Sequence, residues 1–143
     1  MQVGEILDRK GGDIVAVGPG TSLRQAAREL VAHGIGALVV CDEDGQMVGI
    51  LSERDVARYY SGADGSGDPA VDAVMTREVI SCTRSHTLEE LSAIMSSSNI
   101  RHVPVVAGSR VAGMISIRDI VRFRLGELES ENATLRDLVV ALE

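Results

Sequence analysis

Aromatic rings are nearly missing from this chain of 143 residues, which has one Phe, two Tyr and no Trp, so any core must be packed from Val, Ile, Leu, Ala and Met. Basic residues are also in short supply, 14 Lys and Arg against 21 Asp and Glu, and a net charge of -7 disfavours a nucleic-acid backbone as main partner. The one local basic group, Arg118, Arg122 and Arg124, sits beside Asp119 and an acidic tail. Only two cysteines occur, Cys41 and Cys82, without the Cys-x-x-Cys spacing of a zinc knuckle or redox pair. They read as buried, reduced thiols. No apolar run nears the ~18 residues of a membrane span, and residues 1–8 carry neither a basic patch nor an apolar segment of the signal-peptide kind. A soluble cytoplasmic protein, with no membrane partner, is expected.

Motifs for catalysis are missing too. No Gly-x-Gly-x-x-Gly follows a strand, no Gly-x-x-x-x-Gly-Lys-Ser/Thr is present, and no Ser, His and Asp set can be assembled. His33 and His86 have no partner at metal-ligand spacing. Neither a catalytic residue nor a metal site is expected.

What the chain does have is a repeat. Gly49-Ile50-Leu51-Ser52-Glu53-Arg54-Asp55-Val56 returns 64 residues later as Gly113-Met114-Ile115-Ser116-Ile117-Arg118-Asp119-Ile120. Residues 35–40 match 100–105 at an offset of 65, as do the helix seeds Ser22-Leu23 and Thr87-Leu88. Residues 3–7 pair with 71–75, with three extra residues at Lys10 to Gly12 of the first copy.

Within each copy the elements read in one order. A short strand at 14–17 or 79–82 precedes an amphipathic helix with Leu23, Ala26, Ala27 and Leu30, or Leu88, Leu91, Ile94 and Met95, on one stripe. Capping boxes, Ser22 with Gln25 and Thr87 with Glu90, fix the helix starts. Hairpins follow, 37–40 with 48–51 around Asp44-Gly45, and 103–106 with 111–115 around Gly108; a last helix starts after Ser52 or Ser116. This divides the chain into a first copy at 1–60, a mobile, small-residue connection at 61–70, a second copy at 71–124 and a helical extension at 125–143. A copy of about 60 residues buries its sheet poorly alone, so the two should close sheet against sheet.

On these residues, with Ile100-Arg101-His102-Val103-Pro104-Val105-Val106 before the second Gly-x-x-Ser-x-x-Asp element, the chain resembles a stand-alone tandem CBS-domain protein, or Bateman module, over about residues 3–124. The resemblance implies an α/β (α+β) fold of two pseudo-twofold β-α-β-β-α repeats with a C-terminal helix. It implies a non-catalytic regulatory or sensor module whose ligand lies between the copies. In that family two clefts hold AMP, ADP, ATP, NAD or S-adenosylmethionine, and some are empty. The Asp holds ribose hydroxyls, the Ser three residues earlier lies near phosphate, and strand backbone brackets the base. Carried over, one cleft would use Ser116 and Asp119, with Arg101 and His102 on its rim and Ile14, Val15, Ala16, Ala37 and Leu38 from the other copy. The second would use Ser52 and Asp55 with backbone around Val79, Ile80 and Thr83, and His102 with Val103. Glu53 and Ile117 depart from the pattern by standing where another hydroxyl often assists with phosphate.

Plainer readings stand beside these. Ser52 and Ser116 can cap helices, with Asp55 and Asp119 at N3 facing unpaired amides; the same helix start also suits a phosphate and a ribose. Arg101 can pair with phosphate or with an acidic neighbour. His102 reads as a polar cleft wall rather than a ligand. Pro104 lies inside an apolar strand, where the lost N–H is easiest to accommodate at an edge or bulge. A nucleotide-free structural or protein-interaction dimer, or a nucleotide-processing enzyme, are the competing functions.

Beyond residue 120, Val121, Leu128, Leu135 and Leu142 recur every seven residues, and Leu125, Asn132 and Val139 follow four residues on. Two readings are open: a short coiled coil with Asn132 turned inward, or an amphipathic helix, widened by Leu138, lying on the body or on a partner. Both imply a homodimer. The family's discs dimerise through helices, which points to Val56, Ala57, Ile120 and Val121, and an unidentified protein target remains a further partner.

Overall fold

The computed structural model describes residues 1–62 and 65–142. In chain order the elements are α1 (Val3–Lys10), β1 (Ala16–Val17), α2 (Leu23–His33), β2 (Ala37–Cys41), β3 (Met47–Ser52), α3 (Glu53–Ser61), a 3₁₀ turn (Val71–Ala73), α4 (Leu88–Ser98), β4 (His102–Ala107), β5 (Arg110–Ser116) and α5 (Ile117–Leu142). This is the mixed α/β architecture with two repeats and a C-terminal helix.

The duplication extends to helix ends the sequence left open. α2 ends at Gly34 and α4 at Asn99, both left-handed, and Asn99 is the only non-glycine described residue at positive φ. The next N–H reaches back in each case, Ile35 to the Leu30 carbonyl at 3.0 Å and Ile100 to that of Met95 at 3.1 Å, which satisfies the last turn. The starts differ. Thr87 and Glu90 form the full reciprocal box, whereas Ser22 accepts from the Gln25 amide and Gln25 sends its own amide to Glu29. The expected Ser22–Gln25 box is therefore only half made. Incoming chain supplies caps there: the Leu23 amide donates to the Pro69 carbonyl and the Arg24 amide to Asp68 Oδ1, both at 2.8 Å.

The first sheet has the order β1-β2-β3, parallel then antiparallel, and the second is the antiparallel pair β4-β5. The expected strand at 79–82 shrinks to one parallel bridge, Cys82 with Val105, while the expected 14–17 strand keeps Ala16 and Val17. Pro104 is the reason. In the first copy the Val39 amide donates to the Val15 carbonyl at 3.1 Å. Pro104 occupies the matching position and has no N–H, so the Ile80 carbonyl loses its donor and the strand begins only at Cys82.

Two cores form, and each borrows from the other copy. Val3, Ile6 and Leu7 of α1 are buried with Leu88, Leu91, Val103 and Ile115 in the second core. Val71 and Met75 are buried with Leu23, Leu38, Val40 and Leu51 in the first. Close approach explains two glycines: a Cβ on Gly113 would lie 2.6 Å from Leu7 Cδ2, and one on Gly49 would lie 2.5 Å from Met75 Sδ. α1 thus opens the first copy in sequence and packs on the second. The connection expected to be mobile is fastened where it is described: Tyr59 Oη donates to the Ser66 carbonyl at 2.6 Å, Tyr60 Oη to that of Gly67 at 3.2 Å, and Ala70 bridges Ser22. Ala63 and Asp64 of that segment, and Glu143, lie outside the described residues.

Cys82 is buried and its thiol is pushed up to about 11 by burial, as an inert core thiol should be. Cys41 is only half-buried, against the expectation that both would be enclosed. It ends β2 at the bulge after Val40, where the strand leaves the core.

Candidate functional site

Both helix-start carboxylates are buried and line cavities between the copies. Ser52 and Asp55 form a reciprocal box at the start of α3: the Ser52 amide donates to Asp55 Oδ2 at 2.9 Å, the Ser52 hydroxyl to the same oxygen at 3.0 Å, and the Asp55 amide returns a bond to Ser52 Oγ at 3.2 Å. Ser116 and Asp119 repeat this at 2.9, 3.1 and 3.2 Å. The cap reading is thus right for Oδ2. It leaves Oδ1 more loosely held: the Thr76 hydroxyl donates to Asp55 Oδ1 at 3.2 Å and Arg58 lies at 3.4 Å, while Asp119 Oδ1 has Arg122 at 3.5 Å.

The smaller cavity, about 420 Å³, brings Ser52, Asp55, Thr76, Val79, Ile80, Arg101 and His102 together. The larger, about 790 Å³, collects Lys10, Ile14, Val15, Ala37, Arg101, His102, Ser116 and Asp119. Both volumes lie in the ~300–1,000 Å³ range of small-molecule sites. Four residues expected at the clefts do not line them. Leu38 and Val103 are fully buried in the two cores, because alternate strand residues face inward. Ala16 lies outside the larger cavity's lining, and Thr83 outside the smaller's, its amide donating instead to His86 Nδ1 at 3.0 Å.

Lys10, like Thr76 beside Asp55, is a residue that sequence reasoning misses. Its Nζ donates to Asp119 Oδ2 at 2.6 Å and to the Met114 carbonyl at 2.8 Å, reaching across from the end of α1. The three-residue insertion at Lys10 to Gly12 was the only available signal. Burial works to raise the Asp119 pKa, but the Lys10 bond, the Ser116 bonds and the Lys10 charge outweigh it and hold the carboxyl below its usual value. Asp119 is therefore a carboxylate at neutral pH, and Arg101 and Arg118 line the same cavity.

Gly36, Glu53, Arg101 and His102 line both cavities and form the wall between them. A Cβ on Gly36 would come within 2.7 Å of Glu53 Oε1 and 2.8 Å of the His102 ring, so the missing side chain is what lets these two groups meet. Burial lowers the His102 pKa, against raising contributions from Glu53 and Asp119 and with lowering ones from Arg101 and Lys10. The unfolded chain then takes up this proton first, so stability should be complete above the ~6.5 of a free histidine and decline as pH falls through the folded value. Urea titrations between pH 7.5 and 5.5 check this: the slope flattens in His102→Gln, and an unchanged slope would contradict the assignment.

The CBS domain profile matches residues 3–62 and 71–126. The chain belongs to the CBS-domain family. This CBS pair is 44% identical to a CBS-domain containing protein of Agrobacterium tumefaciens, with a TM-score of 0.83 over 87% of this chain and 99% of that one. A CBS domain pair solved in complex with 5′-methylthioadenosine and S-adenosyl-L-methionine is 30% identical, with a TM-score of 0.80 over 89% and 98% of the two chains. CBSX2, solved in complex with AMP, is 25% identical with a TM-score of 0.71 over 87% and 96%. The chain spans 66% of a 17.7 kDa protein of Acidianus ambivalens and 19% of the L-aspartate semialdehyde sulfurtransferase of Methanocaldococcus jannaschii, but 89% of a CBS domain-containing protein of Bacillus subtilis. Among the described residues no helix is long and apolar enough to cross a membrane, and no cluster of three or more His, Cys, Asp or Glu could hold a metal ion.

Proposed function

We propose that this CBS pair is a non-catalytic regulatory module that binds an adenosine-containing ligand in the clefts between its copies, with the larger cleft, at Asp119, as the principal site. The carrying observation is the divided role of each carboxylate: one oxygen locked into the helix cap, the other loosely held at a cavity of ligand size. Such an oxygen accepts from ribose hydroxyls, and the adjoining helix start with Arg101 and Arg118 suits phosphate. AMP, ADP, ATP and NAD share that adenosine and phosphate; the similar pair with S-adenosyl-L-methionine and 5′-methylthioadenosine extends the range to adenosine without phosphate. No nucleophile or activated water is needed for this role, which is why binding is favoured over hydrolysis.

The working assembly is a homodimer in the cytoplasm, acting on a protein target through the angle between its copies. Ile120, expected at the dimer interface, lies in the second core and is removed from that role, whereas Val121 stays exposed. Native mass spectrometry of freshly purified protein tests the reading. A retained mass matching an adenosine compound, or uptake of added AMP without conversion, supports it; no uptake of any adenosine compound, or release of a processed product, would overturn it.

A further inference from the structure

The last part of α5 leaves the body. Every described residue from Leu128 to Leu142 is exposed, including Leu128, Leu135, Leu138, Val139, Val140 and Leu142. A helix of about 15 residues with no packed face is marginal in water, and Gly126 at its root weakens it further. This excludes the reading in which it lies on its own body.

The geometry points to a second copy of this chain as what covers it: we propose that residues 121–142 form a parallel, in-register, two-stranded coiled coil. This rests on the homodimer reading above and is independent of the ligand. Val121, Leu128, Leu135 and Leu142 form one row of the seam and Leu125, Asn132 and Val139 the other. The charges that flank the seam decide orientation and register. In a parallel pair the residue before the second row faces the partner residue five positions later, which sets Arg124 against the partner's Glu129 and Glu131 against the partner's Arg136. Both pairs are attractive, and symmetry doubles them. Slipping one strand by seven residues sets Arg124 against an arginine, Arg122 or Arg136, and in one direction Glu131 against Glu129. Asn132 adds to this: in register the two amides face each other and can bond, whereas an antiparallel pair sets each against a leucine of the other row.

Cysteine cross-linking of the full chain tests the arrangement. Asn132→Cys should convert nearly completely to a disulfide-linked dimer under mild oxidation, while Ser130→Cys, on the outer face, and the wild type with Cys41 and Cys82 should not. Adding Glu131→Arg to Asn132→Cys should slow cross-linking about tenfold at low salt, and further adding Arg136→Glu should restore it. A dimer by sedimentation that fails to cross-link through residue 132 overturns the parallel pairing and leaves the homodimer standing. A monomer by sedimentation overturns both.

Discussion

Asp119→Asn should lower the affinity of the larger cleft for AMP about 10- to 100-fold, the loss expected when a charged acceptor of ribose hydroxyls becomes neutral. Asn is chosen because its carbonyl can still accept the Ser116 amide that Asp119 Oδ2 now receives at 2.9 Å, so the helix start is kept. The ion pair with Lys10 is lost, which should cost stability about 1–2 kcal/mol for a partly buried pair. Calorimetric titration with AMP, beside a urea unfolding curve, separates the two effects. Undiminished affinity with reduced stability would assign the carboxylate to the cap alone.

Removing residues 1–10 should unfold the second copy while the first keeps its structure. The deletion strips Val3, Ile6 and Leu7 from a core they share with Leu88, Val103 and Ile115. At about 1.5–3 kcal/mol for each buried side chain, the loss rivals the ~5–15 kcal/mol that holds a whole domain. The Lys10 bond to Asp119 goes with it. Amide hydrogen exchange reads the result by location: protection should vanish from β4, β5 and α4 and persist in β2 and β3. Loss of protection confined to the first copy would contradict the exchange of segments.

The repeat carried most of the fold in plain view. Two Gly-x-x-Ser-x-x-Asp elements fixed the hairpins and last helices, because a serine cap with Asp at N3 has a strong local geometry of its own. The site's polar centre was legible for the same reason. What escaped was long-range. No local pattern told that α1 would cross to the second copy, so Lys10 was invisible as the partner of Asp119, and Thr76 as that of Asp55. The apolar residues at 79–82 fit a strand locally, while the missing N–H of Pro104 shortens it from another element. Position along a strand alone points Leu38 and Val103 to the cleft walls, but the pleat turns both to the core. The tail's seam was visible, but its freedom from the body was not.

The two cavities share lining residues, so occupancy of one is expected to be felt at the other. A ligand that displaced Arg101 or His102 in one cavity would alter the lining of the other, since both residues line both.

Calorimetric titration of the intact protein and of the Asp55→Asn/Asp119→Asn double variant with AMP, ATP and S-adenosylmethionine is the most direct test of the whole account. Saturable binding of at least one compound to the wild type, lost in a double variant that keeps its far-ultraviolet spectrum, is the predicted result. No binding by the wild type, or equal binding by the double variant, would contradict a ribose grip by the helix-start carboxylates.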